Sequence, residues 1–174
     1  MPQLIKGGAA IDDRWILLRE VAAGSALPAS PVIVPLATWL AARDELRARG
    51  DVGVWLAPAD DPALLGIDTS TLPLIAIEFP KFADGRGYSL GRLLRERFGY
   101  KGELRAIGDI ARDQLYFLRQ VGFDAFTLRD GKDAQDALRS LRDFSDGYQL
   151  TNRRTPWFRR SGTDAPAPAG GTRQ

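Results

Sequence analysis

Residues 74–130 read LIAIEFPKFADGRGYSLGRLLRERFGYKGELRAIGDIARDQLYFLRQVGFDAFTLRD. Three short apolar runs, at 74–79, 103–107 and 125–128, alternate here with two segments of helical spacing, the pattern of right-handed parallel β-α units. In the first helical segment, opening at Tyr88 or Ser89, Leu90, Leu93, Leu94 and Phe98 share one face. Arg92, Arg95, Glu96 and Arg97 lie largely off it, and Gly99 supplies a stop. In the second, Asp109 stands where an N-cap belongs, Ile110, Leu115, Leu118 and Val121 provide apolar contacts, and Gly122 ends the segment. Polar residues collect at the end of each run, where ligand sites form in open parallel sheets.

The same alternation extends outward. Upstream, 32–34 reads as a buried strand ended by Pro35, 36–49 as one amphipathic helix stopped by Gly50, 52–56 as a second strand and 64–71 as an irregular connection. Residues 15–18 form a short apolar strand or start a hairpin with 9–11, at the periphery of the fold. Downstream, Ala134, Ala137, Leu138, Leu141 and Phe144 are spaced for a final helix over 132–144. After Tyr148 the composition becomes polar and rich in proline. The domain expectation is one α/β domain over residues 1–150 and a tail over 151–174, disordered from about 161. Trp157 and Phe158, between arginine pairs, either dock on a partner or fold back on the body.

Side-chain alternation gives the fold class. Ile75, Ile77 and Phe79 share one face of their strand, and Leu74, Ala76 and Glu78 the other. Leu104 and Ala106 likewise oppose Glu103, Arg105 and Ile107, and Phe126 and Leu128 oppose Ala125, Thr127 and Arg129. Helices over the apolar face leave Glu78, Arg105, Thr127 and Arg129 as a polar row on the opposite one. A closed barrel of this type needs eight β-α units and typically about 250 residues. The expectation for 174 residues is therefore a half-barrel-like or open sheet of parallel β-α units with helices on one face. The open face needs a cover: the N-terminal hairpin and tail, another protein or, most economically, a homodimer partner.

Composition narrows the chemistry. The chain has no Cys and no His, which removes disulfides, thiol nucleophiles, cysteine-held iron–sulfur clusters, His- or Cys-ligated zinc and Ser-His-Asp triads. Carboxylate, Lys, Tyr, Ser/Thr and Arg chemistry remain, with no metal or cofactor called for and Mg²⁺ the suitable ion if one binds. The formal charge is +2; without the arginine-rich tail the body is mildly acidic, so nucleic acid is not implied. No stretch approaches the roughly 18–20 apolar residues of a membrane span, and the first residues lack the apolar run of a signal peptide, so the expectation is a cytoplasmic protein with no membrane partner.

The strand ends nominate Glu78, Lys81, Asp84, Arg86, Asp109 and Arg129, and the polar row adds Arg105, as the candidate binding set. Lys81 and Arg86 suit a phosphate, sulfate, sulfite or carboxylate, with helix N–H groups near Ser89 adding donors. The alternative is an internal network in which Glu78 pairs with Arg105, and Asp84 or Asp109 with Arg86. Asp60 and Asp61, adjacent in a proline-flanked turn, suit a cation but read more readily as solvated or capping residues. Gly85, Gly87 and Gly91 miss the dinucleotide spacing by one residue; the first two fit a tight turn and the third close helix packing. Tyr88 reads as a packing residue with a hydrogen-bonding tip.

The motifs DGRGYS (84–89), LLRERFGYKGELRAIGD (93–109), DQL (113–115) and GFDAF (122–126) together resemble a family of uncharacterised bacterial proteins, a domain of unknown function often encoded beside sulfite reductase and sometimes labelled a probable oxidoreductase of sulfite reduction. With a weaker N-terminal region the resemblance covers most of residues 10–150. It implies an accessory protein of assimilatory sulfite reduction and sulfur assimilation. With no Cys ligands in the chain and no redox-active side chain in the candidate set, the expectation is that this role is exercised by binding a partner, such as sulfite reductase or another sulfur-assimilation enzyme, or a sulfur oxyanion. The alternative is a small barrel-like enzyme using Lys81, Asp84 or Asp109 for acid–base work on a phosphorylated or carboxylated metabolite.

Overall fold

The computed structural model describes residues 3–22, 24–81, 84–127 and 138. The first strands, β1 (Gln3–Lys6) and β2 (Ala9–Asp12), form an antiparallel hairpin. Gly7 and Gly8 make its two-residue turn at φ 60° and 80°, the left-handed pair of dihedrals whose twist matches that of the flanking strands. The short β3 (Ile16–Leu17) lies parallel to β4 (Val32–Pro35). The expected hairpin between 9–11 and 15–18 is thus corrected: β2 pairs with β1, and β3 joins the far side of the sheet.

Two helices follow β4 where periodicity implied one. They are α1 (Leu36–Ala41) and α2 (Arg43–Arg49), separated at Ala42, whose φ of −130° and ψ of 35° lie outside the helical region. Helix α2 carries Asp44 and Glu45 in its first turn and Arg47 and Arg49 in its last, complementing the helix dipole, and ends on left-handed Gly50. Strand β5 (Val52–Leu56) leads through a 3₁₀ segment (Pro62–Ser70) to β6 (Leu74–Phe79), so the connection expected to be irregular is largely helical. Asp61 caps the 3₁₀ segment by accepting from the Ala63 N–H, while Asp60 accepts from the Ala57 N–H within the preceding turn. The chain continues with α3 (Arg86–Glu96), β7 (Glu103–Gly108), α4 (Gln114–Gln120) and β8 (Ala125–Thr127).

Helix α3 begins at Arg86, two to three residues earlier than expected. Gly87 is therefore a helical residue rather than part of a turn; a Cβ there would stand 2.5 Å from the Phe79 ring. Gly91 permits the close packing expected of it, its added Cβ falling 2.4 Å from Phe123. Helix α4 begins only at Gln114, so Asp109 is not its N-cap.

The eight strands found among the described residues form one sheet in the order β2-β1-β8-β7-β6-β5-β4-β3, parallel from β8 to β3 and antiparallel in the N-terminal hairpin and its junction with β8. Laid flat, eight strands about 4.8 Å apart would separate the outermost pair by roughly 34 Å. The outermost strands are joined by Asp13, Arg14 and Trp15 alone, a link that reaches at most about 14 Å from Asp12 to Ile16. The sheet is accordingly strongly curled, an open half-barrel whose two edges are brought together by its own N-terminal segment.

Helices pack on the outer face, where Val34, Val54, Ile75, Ile77, Leu104 and Phe126 form the main core with Leu36, Trp39, Leu94, Leu115 and Leu118. Leu138, the one described residue of the region assigned to the last helix, is buried in this core. The rest of that helix and the tail at 151–174 lie outside the described residues. A smaller cluster, Ile33, Leu74, Ala76 and Ile107, occupies the inner face and is covered by Trp15, Leu17 and Trp55. The division of faces read from strand alternation is the observed one. Among the described residues no helix is long and apolar enough to cross a membrane.

Candidate functional site

The segment at 13–19 links the two edges of the sheet and includes the edge strand β3, a strap that holds the curl together, and alternation governs it as it governs the other strands. Asp13, Trp15, Leu17 and Arg19 all turn toward one recess of about 450 Å³. The opposite wall comes from the C-terminal ends of β6, β7 and β8: Glu78, Arg105, Asp109 and Thr127, with Phe79, Pro80, Ile107 and Gly108 between them. The size lies within the range of about 300–1,000 Å³ usual for small-molecule sites.

Arg105 anchors the strap. Its side chain is 1% exposed and its Nη1 lies 2.6 Å from Asp13 Oδ2, itself on a side chain 6% exposed. Its Nε donates to Glu103 Oε1 at 2.8 Å. Nη2 is 2.7 Å from the same oxygen but off hydrogen-bonding geometry, so that contact is electrostatic. Glu103 is further neutralised by Lys6 Nζ at 2.6 Å, tying β1 into the network. The Asp13 carboxylate also accepts from the Trp15 N–H at 3.1 Å, which shapes the turn that places the indole over the inner cluster.

Arg19 forms a second, more open pair with Glu78; the two side chains are 48% and 21% exposed. Its guanidinium lies 5.5 Å from the centre of the Trp55 ring, and Trp55 Nε1 donates to the Leu18 carbonyl at 3.0 Å. The ring both supports the cation and pins the backbone beside it.

Glycine makes the far corner possible. Gly108 has φ of 104°, and a Cβ there would lie 2.4 Å from the Phe79 carbonyl oxygen. This close approach lets the Asp109 N–H donate to that oxygen at 2.7 Å and brings Asp109 to the recess wall. The Thr127 hydroxyl is buried without a hydrogen-bond partner among the described residues.

Of the seven residues nominated by sequence, Glu78, Arg105 and Asp109 meet at this recess. Lys81 is an exposed turn residue after β6, outside the lining. Asp84 and Arg86 pair with each other at the surface, Nη2 to Oδ2 at 2.7 Å and Nε to Oδ1 at 3.0 Å, and Arg86 is 62% exposed. The Arg86 hydrogen bond, foremost, holds the Asp84 carboxyl below its ordinary pKa, and Asp84 raises that of Arg86 in return. Arg129 lies outside the described residues. The expected pairing of Glu78 with Arg105 is corrected: the strap supplies a nearer partner to each, Arg19 to Glu78 and Asp13 to Arg105, while the expected Asp84–Arg86 pair is observed.

Asp13, Trp15 and Arg19 were missed because the segment reads as peripheral. Its signal was the run of odd positions from 13 to 19, two charged ends around two apolar residues, which is a strand-like inner face. Tyr88 meets its expected role: its ring packs edge-on to Phe79 at 5.5 Å, and burial raises the hydroxyl pKa against a hydrogen bond with Gln114. Among the described residues no cluster of three or more acidic side chains is arranged to hold a metal ion.

Fold and recess together define an α/β half-barrel with one small-molecule-sized site between its strand ends and its own N-terminal strap. The chain belongs to the family described as bacterial protein of unknown function (DUF934), whose family model matches residues 53–158, more than half of its length. That span includes Glu78, Arg105, Asp109 and Thr127; the strap precedes it. No curated protein matches the sequence.

Proposed function

We propose that this protein is an accessory factor of assimilatory sulfite reduction and sulfur assimilation that works by binding, with the recess beneath the strap as the site for a small sulfur oxyanion. The observation that carries the binding role is the convergence of Glu78, Arg105, Asp109 and Arg19 on one recess of about 450 Å³. The sulfur assignment is supported by the combined motifs at 84–89, 93–109, 113–115 and 122–126. A chain without Cys or His offers none of the usual ligands for an iron–sulfur cluster, which favours binding over electron transfer. Acid–base catalysis has less support, since of Lys81, Asp84 and Asp109 only Asp109 lines the recess.

The test is genetic. A strain lacking the protein is grown on sulfate, sulfite or sulfide as sole sulfur source. The expected outcome is impaired growth on sulfate and sulfite, normal growth on sulfide, and restoration by the intact gene. Growth equal to the parent on all three removes the sulfur assignment. Co-purification with sulfite reductase at low salt tests whether a direct complex accompanies the role.

A further inference from the structure

We infer that Arg19 is the anion-binding residue of the recess and that Glu78 is its built-in competitor, occupying the guanidinium until the carboxylate or sulfur oxyanion of a ligand takes its place. This rests on reading the recess as a binding site and adds which side chains receive the ligand's charge.

Two guanidiniums are found among the described lining residues, and burial separates their roles. Arg105 is sealed beneath the strap, with Asp13 on one side and Glu103 on the other. An anion reaching it must expel Asp13 and leave that buried carboxylate without its partner, a strongly unfavourable exchange. The Arg19–Glu78 pair is accessible on both sides, and solvent-accessible pairs of that kind contribute little. A ligand with two coplanar oxygens can therefore exchange with Glu78 on the fork of Arg19 at little cost.

The arrangement also keeps Arg19 in place when Glu78 leaves. Trp55 lies beneath the guanidinium, and its Nε1 bond to the Leu18 carbonyl fixes the adjacent backbone. The cation is thus pre-organised, which lowers the entropy cost of binding. The ligand class is a small oxyanion or carboxylate with a compact body that packs against Trp15, Pro80 and Ile107 on the recess wall.

The experiment is calorimetric titration of the full chain with sulfite, sulfate and propionate at constant ionic strength, using wild type, Glu78→Gln, Arg19→Gln and Arg19→Lys. The expected result is binding of sulfite or propionate by wild type and binding tighter by up to about fivefold in Glu78→Gln, the equivalent of losing a competitor worth up to about 1 kcal/mol. Arg19→Gln abolishes binding, and Arg19→Lys weakens it because an ammonium lacks the parallel N–H fork. Thermal melts of the Arg19 variants close to wild type are expected, as the pair is exposed. Tighter sulfite binding supports the sulfur reading as well; tighter propionate binding keeps the Arg19 assignment and counts against sulfur. The inference is overturned if Arg19→Gln binds like wild type, if Glu78→Gln binds no more tightly, or if neither wild type nor Glu78→Gln binds any of the three anions. A sulfur-source growth defect beside any of those results leaves the accessory role standing and removes only this assignment.

Discussion

Replacing Asp13 by Asn tests whether an ion pair holds the strap across the sheet. The substitution keeps the side-chain shape and an oxygen able to accept from the Trp15 N–H, but removes the charge 2.6 Å from Arg105 Nη1. Arg105 is 1% exposed, so water cannot replace the lost partner. It does retain Glu103, with Nε donating at 2.8 Å, which moderates the loss. A hydrogen bond to a charged group is worth about 1.5–3 kcal/mol, and complete removal of a buried partner costs about 3–5 kcal/mol. The expected loss for Asp13→Asn is therefore about 2–3 kcal/mol, or about 4–12 °C in Tm for a domain of this size. Arg105→Met should cost more, about 3–5 kcal/mol, because it strands the buried Asp13 carboxylate and leaves Glu103 with Lys6 alone. Adding Asp13→Leu to Arg105→Met should recover part of that loss. Urea unfolding followed by tryptophan fluorescence is the assay, since Trp15 and Trp55 cover the inner cluster beside the strap. A loss below about 0.5 kcal/mol for Asp13→Asn, in the range of ordinary surface substitutions, would refute the claim that this pair fastens the strap.

Two further predictions concern the frame around the recess. Gly108→Ala places a Cβ 2.4 Å from a backbone oxygen at φ of 104°, so the strands must separate; the expected cost is about 2–4 kcal/mol in urea unfolding, and a variant as stable as wild type would show that β6 and β7 tolerate separation there. At Asp124, whose side chain is half exposed and pairs with Arg95 at 3.0 Å, partial desolvation raises the carboxyl pKa above its ordinary 3.8 and outweighs the opposing charge of Arg95. A raised folded-state pKa means that the native state holds this proton more tightly, so the contribution is present below the ordinary value and is lost as pH rises through the folded one. Asp124→Asn retains an oxygen to accept from the Leu104 N–H, the bond Oδ1 makes at 2.9 Å. The stability of wild type minus that of the variant should accordingly fall as pH rises above about 3.8. A difference that is flat or rises with pH contradicts the assignment.

Much of the fold was legible because it is written in short-range periodicity. Alternation in 74–79 and 103–107 separates Ile75, Ile77, Leu104 and Ala106 on the outer face from Leu74, Ala76 and Ile107 on the inner one, and the cores divide the same way. Element ends were less legible. Apolar spacing continues through Ala42 although the helix does not, and Asp109 resembles an N-cap although its backbone is committed to Phe79 instead. The hairpin at Gly7-Gly8 carries a strong local signal, two adjacent glycines able to adopt positive φ. What it pairs with is a non-local matter.

The candidate site divides along the same line. Sequence by itself determined the residue types available, a chemistry of carboxylates, guanidiniums and lysine without thiol or imidazole, and it placed Glu78, Arg105 and Asp109 near the ends of parallel strands. These follow from composition and a two-residue period, both properties of the chain read locally. Only the tertiary structure decided which charges distant in sequence meet. The curl of the sheet brings residues 13–19 against strands about 60 to 90 positions later, giving Arg105 to Asp13 and Glu78 to Arg19, and leaving Asp84 and Arg86 to each other at the surface. Ion-pair choice depends on distance and burial in the folded chain, and no local pattern encodes either.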